Sequence, residues 1–198
     1  MAKYDHNPDF ERQIAAARPG SALLLHSCCG PCSAAVLERL GERFAITLYF
    51  YNPNIRPEAE YRRRLEAQKT VLERTRLRYP TKLLTAPYDP QAFGAVEAGL
   101  EAEPEGGVRC TRCFLLRLEE TARLAKVQNF DYFATTLSIS PHKDAKRLNE
   151  IGAGLAETYG LPYLTADFKK KGGYQRSMEL AREWGLYRQS YCGCGVSD

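Results

Sequence analysis

The sequence predicts an α/β protein, a single domain with a mainly parallel sheet flanked by helices. Short apolar runs alternate along the chain with longer segments of helical periodicity, which is the pattern of βαβ units. The length of 198 residues fits one or at most two domains, and 44% hydrophobic with 26% charged residues is ordinary for a globular chain. The seven cysteines are clustered in three places beside predicted elements. These clusters direct attention to the edge of the sheet where ligands bind.

The first half of the chain supplies three predicted strands and three helices. Aliphatic and β-branched runs indicate strands, and apolar residues that recur every three or four positions indicate helices. Pro31 at the start and Gly41 past the end mark the first helix. The strands are predicted at 22–25, 45–50 and 81–85, and the helices at 31–40, 57–76 and 89–98.

The second half continues the alternation after a loop at 101–108. Strands are predicted at 132–137 and 163–165, and helices at 111–126, 144–159 and 174–183. Gly160 and Pro162 end the second of these helices. Residues 1–20 are interpreted as an N-terminal extension and residues 21–198 as a single catalytic α/β domain.

Charge and hydropathy limit the partners and the compartment. Lys and Arg number 28 and Asp and Glu number 24, and the net charge of +4 permits a polyanionic partner without requiring one. No apolar run approaches the roughly 20 residues that span a bilayer, so no membrane association is expected. Residues 1–18 are polar and include Asp5, Asp9 and Glu11, unlike a signal or transit peptide. The predicted location is the cytoplasm.

The cysteines indicate a metal or redox site, because disulfide frameworks are rare outside secreted proteins. Cys28, Cys29 and Cys32 lie at a predicted turn from strand to helix, where the helix N-terminus favours thiolates. Cys110 and Cys113 form a C-x-x-C pair at a junction from loop to helix. Together with Cys28 and Cys29, this pair supplies four thiolates, the complement of either a cubane iron–sulfur cluster or a structural zinc ion.

Cys192 and Cys194 form a C-x-C pair near the C-terminus. Such a pair can close only a small, strained and easily reduced disulfide, or it can chelate one metal ion. An idle tail is the simpler alternative. Since seven thiols exceed the four that one zinc or one cubane takes, the surplus favours redox chemistry over structural zinc.

Several other polar residues are candidates for binding or proton transfer. Lys169, Lys170, Lys171 and Arg176 lie in a basic, glycine-containing loop suited to phosphates, although such runs are often simply solvated. His142 follows a predicted strand, where it is a surface or capping residue or a proton donor. Asn52 and Asn54 follow the second strand and are placed for contacts with a base.

Six segments of the sequence together resemble the QueH-type epoxyqueuosine reductase family. The first is Leu25-His26-Ser27-Cys28-Cys29-Gly30-Pro31-Cys32. The others are residues 51–55 with 60–61, 109–113 with 116–118, 136–143, 168–177, and 185–189 with 191–194. The resemblance runs in order from about residue 22 to 194 and leaves only the N-terminal segment outside it.

The resemblance implies an activity, a fold and a cofactor. Enzymes of this family reduce the epoxide of epoxyqueuosine in the tRNA anticodon loop to give queuosine, the last step of queuosine biosynthesis. Their fold is similar to the adenine-nucleotide α-hydrolase (HUP-like) group. They carry a [4Fe–4S] cluster, whose ligands by motif are Cys28, Cys29, Cys110 and Cys113. In the same scheme Cys192 and Cys194 form a redox-active pair or hold an accessory iron.

The implied chemistry assigns tasks to the remaining residues. Removal of an epoxide oxygen needs two electrons, two protons and a Lewis acid, with Cys32 and His142 as candidate proton donors. The electron donor is not identified by the sequence. Two other interpretations remain open, a zinc-structured nucleic-acid-binding module and a metal-free thiol–disulfide oxidoreductase.

Overall fold

The computed structural model describes residues 7–195 and contains a four-stranded, wholly parallel sheet among them. Its strands are β1 (Ser21–His26), β2 (Phe44–Phe50), β3 (Lys82–Thr85) and β4 (Tyr132–Thr135), in the spatial order β3-β2-β1-β4. The helices are α1 (Asn7–Ala16), α2 (Gly30–Leu40), α3 (Glu58–Arg74), α4 (Pro90–Glu97), α5 (Val108–Val127), α6 (Ala145–Tyr159) and α7 (Gly173–Glu183). A short 3₁₀ helix, Thr136–Ile139, follows β4.

The alternating side chains of β1 divide the interior into two cores. Leu23 and Leu25 pack into one core with α1, α2 and α7, whereas Leu24 packs into the other with α5 and α6. All three leucines are fully buried. A strand buried on both faces must be apolar throughout, which explains the uninterrupted run of leucines in the sequence.

These features confirm the predicted fold class, an α/β protein with a parallel sheet flanked by helices. The predicted strand at 163–165 is wrong, since only Tyr163 forms a bridge, with Phe133. The side chains of Gln13 and Asn149 form hydrogen bonds with backbone groups of Tyr163, Thr165 and Ala166. A longer strand would need these groups for pairing with its neighbour. The strand predicted at 132–137 ends at 135, where the Thr135 hydroxyl accepts a hydrogen bond from the amide of Leu137 and starts the 3₁₀ helix.

The segment before β1 contains a helix, α1, that the sequence did not predict. Phe10 on this helix is fully buried and meets Phe168 edge to face at 5.4 Å between ring centroids. The described part of the predicted extension is therefore packed on the core, while residues 1–6 and 196–198 lie outside the described residues. The domain boundary at 20/21 stays a prediction. In the described part of the chain, no helix combines the length and hydrophobicity needed to cross a membrane.

Candidate thiol-rich active site

The first cysteine cluster lies in the turn from β1 into α2, at the carboxyl edge of the sheet. The Ser33 hydroxyl is 2.7 Å from that of Ser27 and 2.8 Å from Oε1 of Gln68 on α3, which fixes the turn from one side. At Gly30, an added Cβ would lie 2.6 Å from the carbonyl oxygen of Ala67. Glycine therefore allows α2 to begin in close contact with α3, and the cysteines are held by two elements.

Cys28, Cys29 and Cys32 form a triad whose Sγ atoms all lie within 4.8 Å of one another. Soft thiolates at this spacing could hold a metal ion. Hydrogen bonds from Cys29 and Cys32 hold the pKa of Cys28 well below that of a free thiol. The same contacts with Cys28 raise the pKa of Cys29 and of Cys32. The triad thus concentrates its negative charge on Cys28, whose Sγ also lies 3.5 Å from the Thr136 hydroxyl.

The other four cysteines form a quartet around a second, small cavity of about 20 Å³. Cys110 and Cys113 come from the first turns of α5, and Cys192 and Cys194 come from the segment after α7. A cavity of this volume holds about one water-sized sphere. A hydrogen bond from Cys194 holds the pKa of Cys192 well below that of a free thiol, and burial raises the pKa of Cys113.

The C-x-C pair of the quartet is held by a loop that follows β2. The backbone amide of Arg56 donates to the carbonyl oxygen of Gly193 at 2.8 Å, and its guanidinium donates to the carbonyl oxygen of Cys194 at 2.9 Å. The same guanidinium forms a two-bond ion pair with Glu97 on α4. A Cβ at Gly193 would lie 2.9 Å from Cα of Ile55. The backbone between the two cysteines is therefore seated against this loop.

Arg117 on α5 lies between the triad and the quartet. Its side chain is 4% exposed, and it donates to Oδ1 of Asn52 and, at 3.3 Å, to Nε2 of His26. Burial, and secondly the charge of Arg117, lower the pKa of His26 to about 3, so this histidine accepts as a neutral ring. The positive charge of Arg117 also lowers the pKa of Cys28 and Cys192. One buried cation therefore favours thiolates in both groups.

Arg109, one turn before Cys113, is the largest fully buried side chain among the described residues. Its Nη1 donates to the carbonyl oxygen of Glu101 at 3.1 Å, but Nε and Nη2 have no hydrogen-bond partner. Arg109 lines the small cavity beside the quartet. Unpaired buried N–H groups of a cation next to four thiols suit an anionic centre, because each such group otherwise carries a desolvation cost of about 1–3 kcal/mol.

A large cavity of about 370 Å³ opens next to the triad. Arg117, Lys143 and Cys192 line both this cavity and the small one, so the triad and the quartet adjoin. The structure groups the thiols as three and four, whereas the sequence paired Cys28 and Cys29 with Cys110 and Cys113. That ligand set stays a prediction, as do the roles assigned to Cys32, Cys192 and Cys194.

The residues expected to contact substrate are dispersed. Asn54 and His142 line the large cavity, with His142 exposed at its rim. Asn52 also lines it, but its amide is engaged with Arg117 and with the carbonyl oxygen of Ser27. The four basic residues lie outside the cavity lining.

Three of those four basic residues have acidic partners. Lys169 is ion-paired with Asp167 and donates to the carbonyl oxygen of Ser138. Lys171 is paired with Glu11, and Arg176 with Glu38. Lys170 is exposed. Their binding of tRNA phosphates stays a prediction. The contact of Lys169 with Ser138 also connects the segment before α7 to the 3₁₀ helix that follows β4.

Arg109 and Arg117 were missed as site residues by the sequence analysis. With Cys113 and Thr121 they recur every fourth position and form one buried face of α5. Arginines in a stripe that should be apolar are the signal that indicates a buried polar site.

The fold and site define a class, a parallel α/β protein with a cysteine triad that could hold a metal ion at the carboxyl edge of its sheet. The family model described as "Epoxyqueuosine reductase QueH" matches residues 23–198. The chain belongs to the epoxyqueuosine reductase QueH family.

Named relatives agree with that assignment. The chain is 43% identical to the epoxyqueuosine reductase QueH of Staphylococcus epidermidis, over 87% of this chain and 74% of that protein. It is 45% identical to that of Streptococcus pyogenes serotype M1, over 87% and 69%, and 35% identical to that of Thermotoga maritima, over 88% and 89%. Among solved structures, an NAD+ synthetase from Burkholderia pseudomallei aligns over 85% of this chain at 17% identity, with a TM-score of 0.29 that is too low to show a common fold.

Proposed function

We propose that this chain reduces the epoxide of epoxyqueuosine in the anticodon loop of tRNA to the alkene of queuosine, in the cytoplasm. Membership of the family supports the reaction. The observation that carries it is the placement of all seven cysteines around two adjoining cavities, of which the larger has the volume of a small-molecule site. Thiols that only stabilised the core would not need a cavity beside them.

The donor set fits an iron–sulfur cofactor, since thiolates are the ligands that such clusters take. We assign a [4Fe–4S] cluster to Cys28, Cys29, Cys110 and Cys113, with Cys192 and Cys194 as a redox-active pair or as ligands of an accessory iron ion. When bound, these groups supply electrons and a Lewis acid for the epoxide oxygen. The observed grouping supports a second division, in which the triad and the quartet are separate ligand sets and do not share one cluster.

The overall reaction fixes what the surrounding side chains must do. Two electrons and two protons convert the epoxide to an alkene and water, so both carbon–oxygen bonds break and the oxygen leaves with two hydrogens. Cys32 and His142 line the cavity and are the candidate donors of these protons. Arg117 lies between the triad and the quartet and stabilises thiolates in both. An external donor, whose identity is open, returns the electrons.

The tRNA partner is proposed to bind the basic segment 169–176, which leads into the start of α7. Lys170, Lys171 and Arg176 are exposed, and ion pairs at such exposure contribute little to stability because water and salt screen them. A phosphate can therefore displace Glu11 or Glu38 at little cost. Lys169 is more enclosed. We assign it to the same phosphate contacts, in addition to its hydrogen bond with the carbonyl oxygen of Ser138.

The experiment that tests the function supplies an anticodon stem–loop RNA carrying epoxyqueuosine to protein purified without oxygen, together with dithionite. Mass spectrometry of the digested RNA should show a nucleoside lighter by one oxygen atom. Brown, iron-containing protein with that product supports the proposal. Colourless, zinc-containing protein that binds RNA without converting it supports the nucleic-acid-binding alternative, and turnover with a dithiol by metal-free protein supports the thiol–disulfide alternative.

A further inference from the structure

Three residues that line the large cavity carry buried polar atoms without a hydrogen-bond partner. They are Oδ1 of Asn54, Nη2 of Arg64 and Oε1 of Gln189. Buried polar groups in folded proteins are nearly always paired, and exceptions call for a specific explanation. Three exceptions around one cavity indicate a ligand that completes them.

The three side chains come from separate segments that are fastened together. Nε of Arg64 donates to Oε1 of Glu60 at 2.6 Å, and both residues are buried. The other oxygen of Glu60 accepts from the Tyr187 hydroxyl at 2.8 Å, which ties the segment that carries Gln189 to α3. Asn54, 3% exposed, follows β2 at the carboxyl edge of the sheet. The ion pair thus fixes the Arg64 guanidinium while its Nη2 has no hydrogen-bond partner.

The unpaired atoms define the chemistry of the ligand. Two amide oxygens accept hydrogen bonds and one guanidinium nitrogen donates them, so the complementary edge must offer two donors and one acceptor. A phosphate offers acceptors only and would leave both amide oxygens unpaired. The Watson–Crick edge of guanine offers a ring N–H, an exocyclic amino group and a carbonyl oxygen, which is the required set.

Aromatic rings in the same cavity suit a planar ligand. Tyr174 and Tyr191 both line it, and Tyr191 is 40% exposed although the Arg64 guanidinium lies over its ring, 5.3 Å from the centroid. RNA bases that are unstacked from a loop pack on such rings while their edges are read by hydrogen bonds. A sugar-like ring would satisfy the polar atoms but would not use the aromatic faces.

We propose that Asn54, Arg64 and Gln189 form a recognition site for the hydrogen-bonding edge of a guanine-type base extruded from an RNA loop. The proposal rests on the proposed function, since the base of epoxyqueuosine is derived from guanine and its epoxide must reach the cavity that the triad lines. Asn54 and Gln189 accept from the ring N–H and the amino group, and Arg64 donates to the carbonyl oxygen. These residues select the base and do not take part in the reduction.

The first experiment measures binding and needs no turnover. Two anticodon stem–loop RNAs are compared on the wild-type protein, one with guanine and one with hypoxanthine at the substrate position. Hypoxanthine lacks the exocyclic amino group, and loss of one hydrogen bond of this kind should weaken binding about five- to tenfold. Equal dissociation constants for the two RNAs overturn the proposal.

The second experiment separates recognition from catalysis in the protein. Gln189→Leu and Asn54→Leu keep side-chain bulk but remove the accepting oxygen, and Gln128→Leu, on an exposed residue past the end of α5, is the control. Each cavity variant should raise KM for the epoxyqueuosine RNA about tenfold, with kcat and the visible absorbance of the purified protein unchanged. At least one of them should lose the preference for guanine over hypoxanthine.

The outcomes distinguish this proposal from the function on which it rests. Cavity variants that match Gln128→Leu in KM and in base preference overturn the recognition site while the reductase function stands. Variants could instead lose affinity for epoxyqueuosine RNA but bind the guanine RNA as the wild type does. That result would mean that the amides contact the ring that carries the epoxide and not the base, and it also overturns the proposal. A wild-type protein that prefers guanine but never reduces the epoxide supports the recognition site and contradicts the proposed function.

Discussion

The triad and the quartet present thiols in structurally different ways. The triad lies within one turn, between a buried strand and a helix, and all three residues are within five positions of one another. The quartet joins a helix start to a segment about 80 positions later, and it depends on contacts of Ile55 and Arg56 with that segment. The triad is therefore specified locally, whereas the quartet exists only when the whole chain is folded.

The largest expected effect comes from the triad. Cys29→Ser should lower the iron content per chain and abolish epoxide reduction, because Cys29 is buried and every proposed division uses it as a ligand. Iron per chain and product formation are measured on the same sample. Cys32→Ser sharpens the result, since lost iron makes Cys32 a ligand, and retained iron with lost turnover makes it a proton donor.

A double substitution in the quartet should abolish turnover without preventing cluster assembly. In a Cys192→Ser, Cys194→Ser double variant we expect normal visible absorbance and loss of epoxide reduction by at least about a hundredfold, the order of a lost catalytic group. Absorbance lost with activity would instead place the cluster in the quartet, which reverses the assigned division. Full activity would reduce the segment after α7 to a structural role.

An intermediate effect on the rate of reduction is expected at Gly193, where the C-x-C backbone packs against Ile55. Gly193→Ala places a Cβ 2.9 Å from Cα of Ile55, so the C-x-C backbone must shift. Reduction should fall about tenfold while thermal stability changes little, since a displacement near 1 Å can cost more than this in rate. Gly154→Ala on α6, where the added Cβ meets nothing within 4 Å, is the matched control and should be silent in activity. A silent Gly193→Ala would show that the quartet tolerates displacement.

The smallest effect concerns the basic segment. Lys170→Ala combined with Lys171→Ala should weaken binding of the stem–loop RNA and flatten its salt dependence by about 0.7 to 1 unit of slope per lost phosphate contact. Lys146→Ala, an exposed lysine on α6 outside both cavity linings, serves as the comparison. Loss of turnover at saturating RNA with an unchanged slope would contradict the phosphate assignment.

The parts of the fold that were predicted correctly are those written in local patterns. The apolar run of β1 and the helical periodicity of α6 record which residues are buried. The turn that carries Cys28, Cys29 and Cys32 was predicted because it comes immediately after the first strand. Helix α1 was missed because its packing rests on the distant Phe168, and the strand at 163–165 was mistaken because Gln13 and Asn149 occupy its backbone.

The same limit applies to the site. The cysteines were identified as metal or redox residues from their spacing, but their division into three and four depends on how α5 meets the last segment. Arg117 and Arg109 were not identified, because a buried arginine is recognisable only when the helix face that carries it is known. Non-local contacts therefore decide which thiols share a cavity and which cation accompanies them.

The central claim is that iron held by these thiols performs the epoxide reduction. The most direct measurement prepares anaerobic protein with graded iron occupancy, determined by metal analysis, and follows product formation from epoxyqueuosine RNA in each preparation. The rate should rise in proportion to bound iron and vanish in the iron-free protein. A rate that is independent of iron, or full activity in protein that contains only zinc, would contradict it.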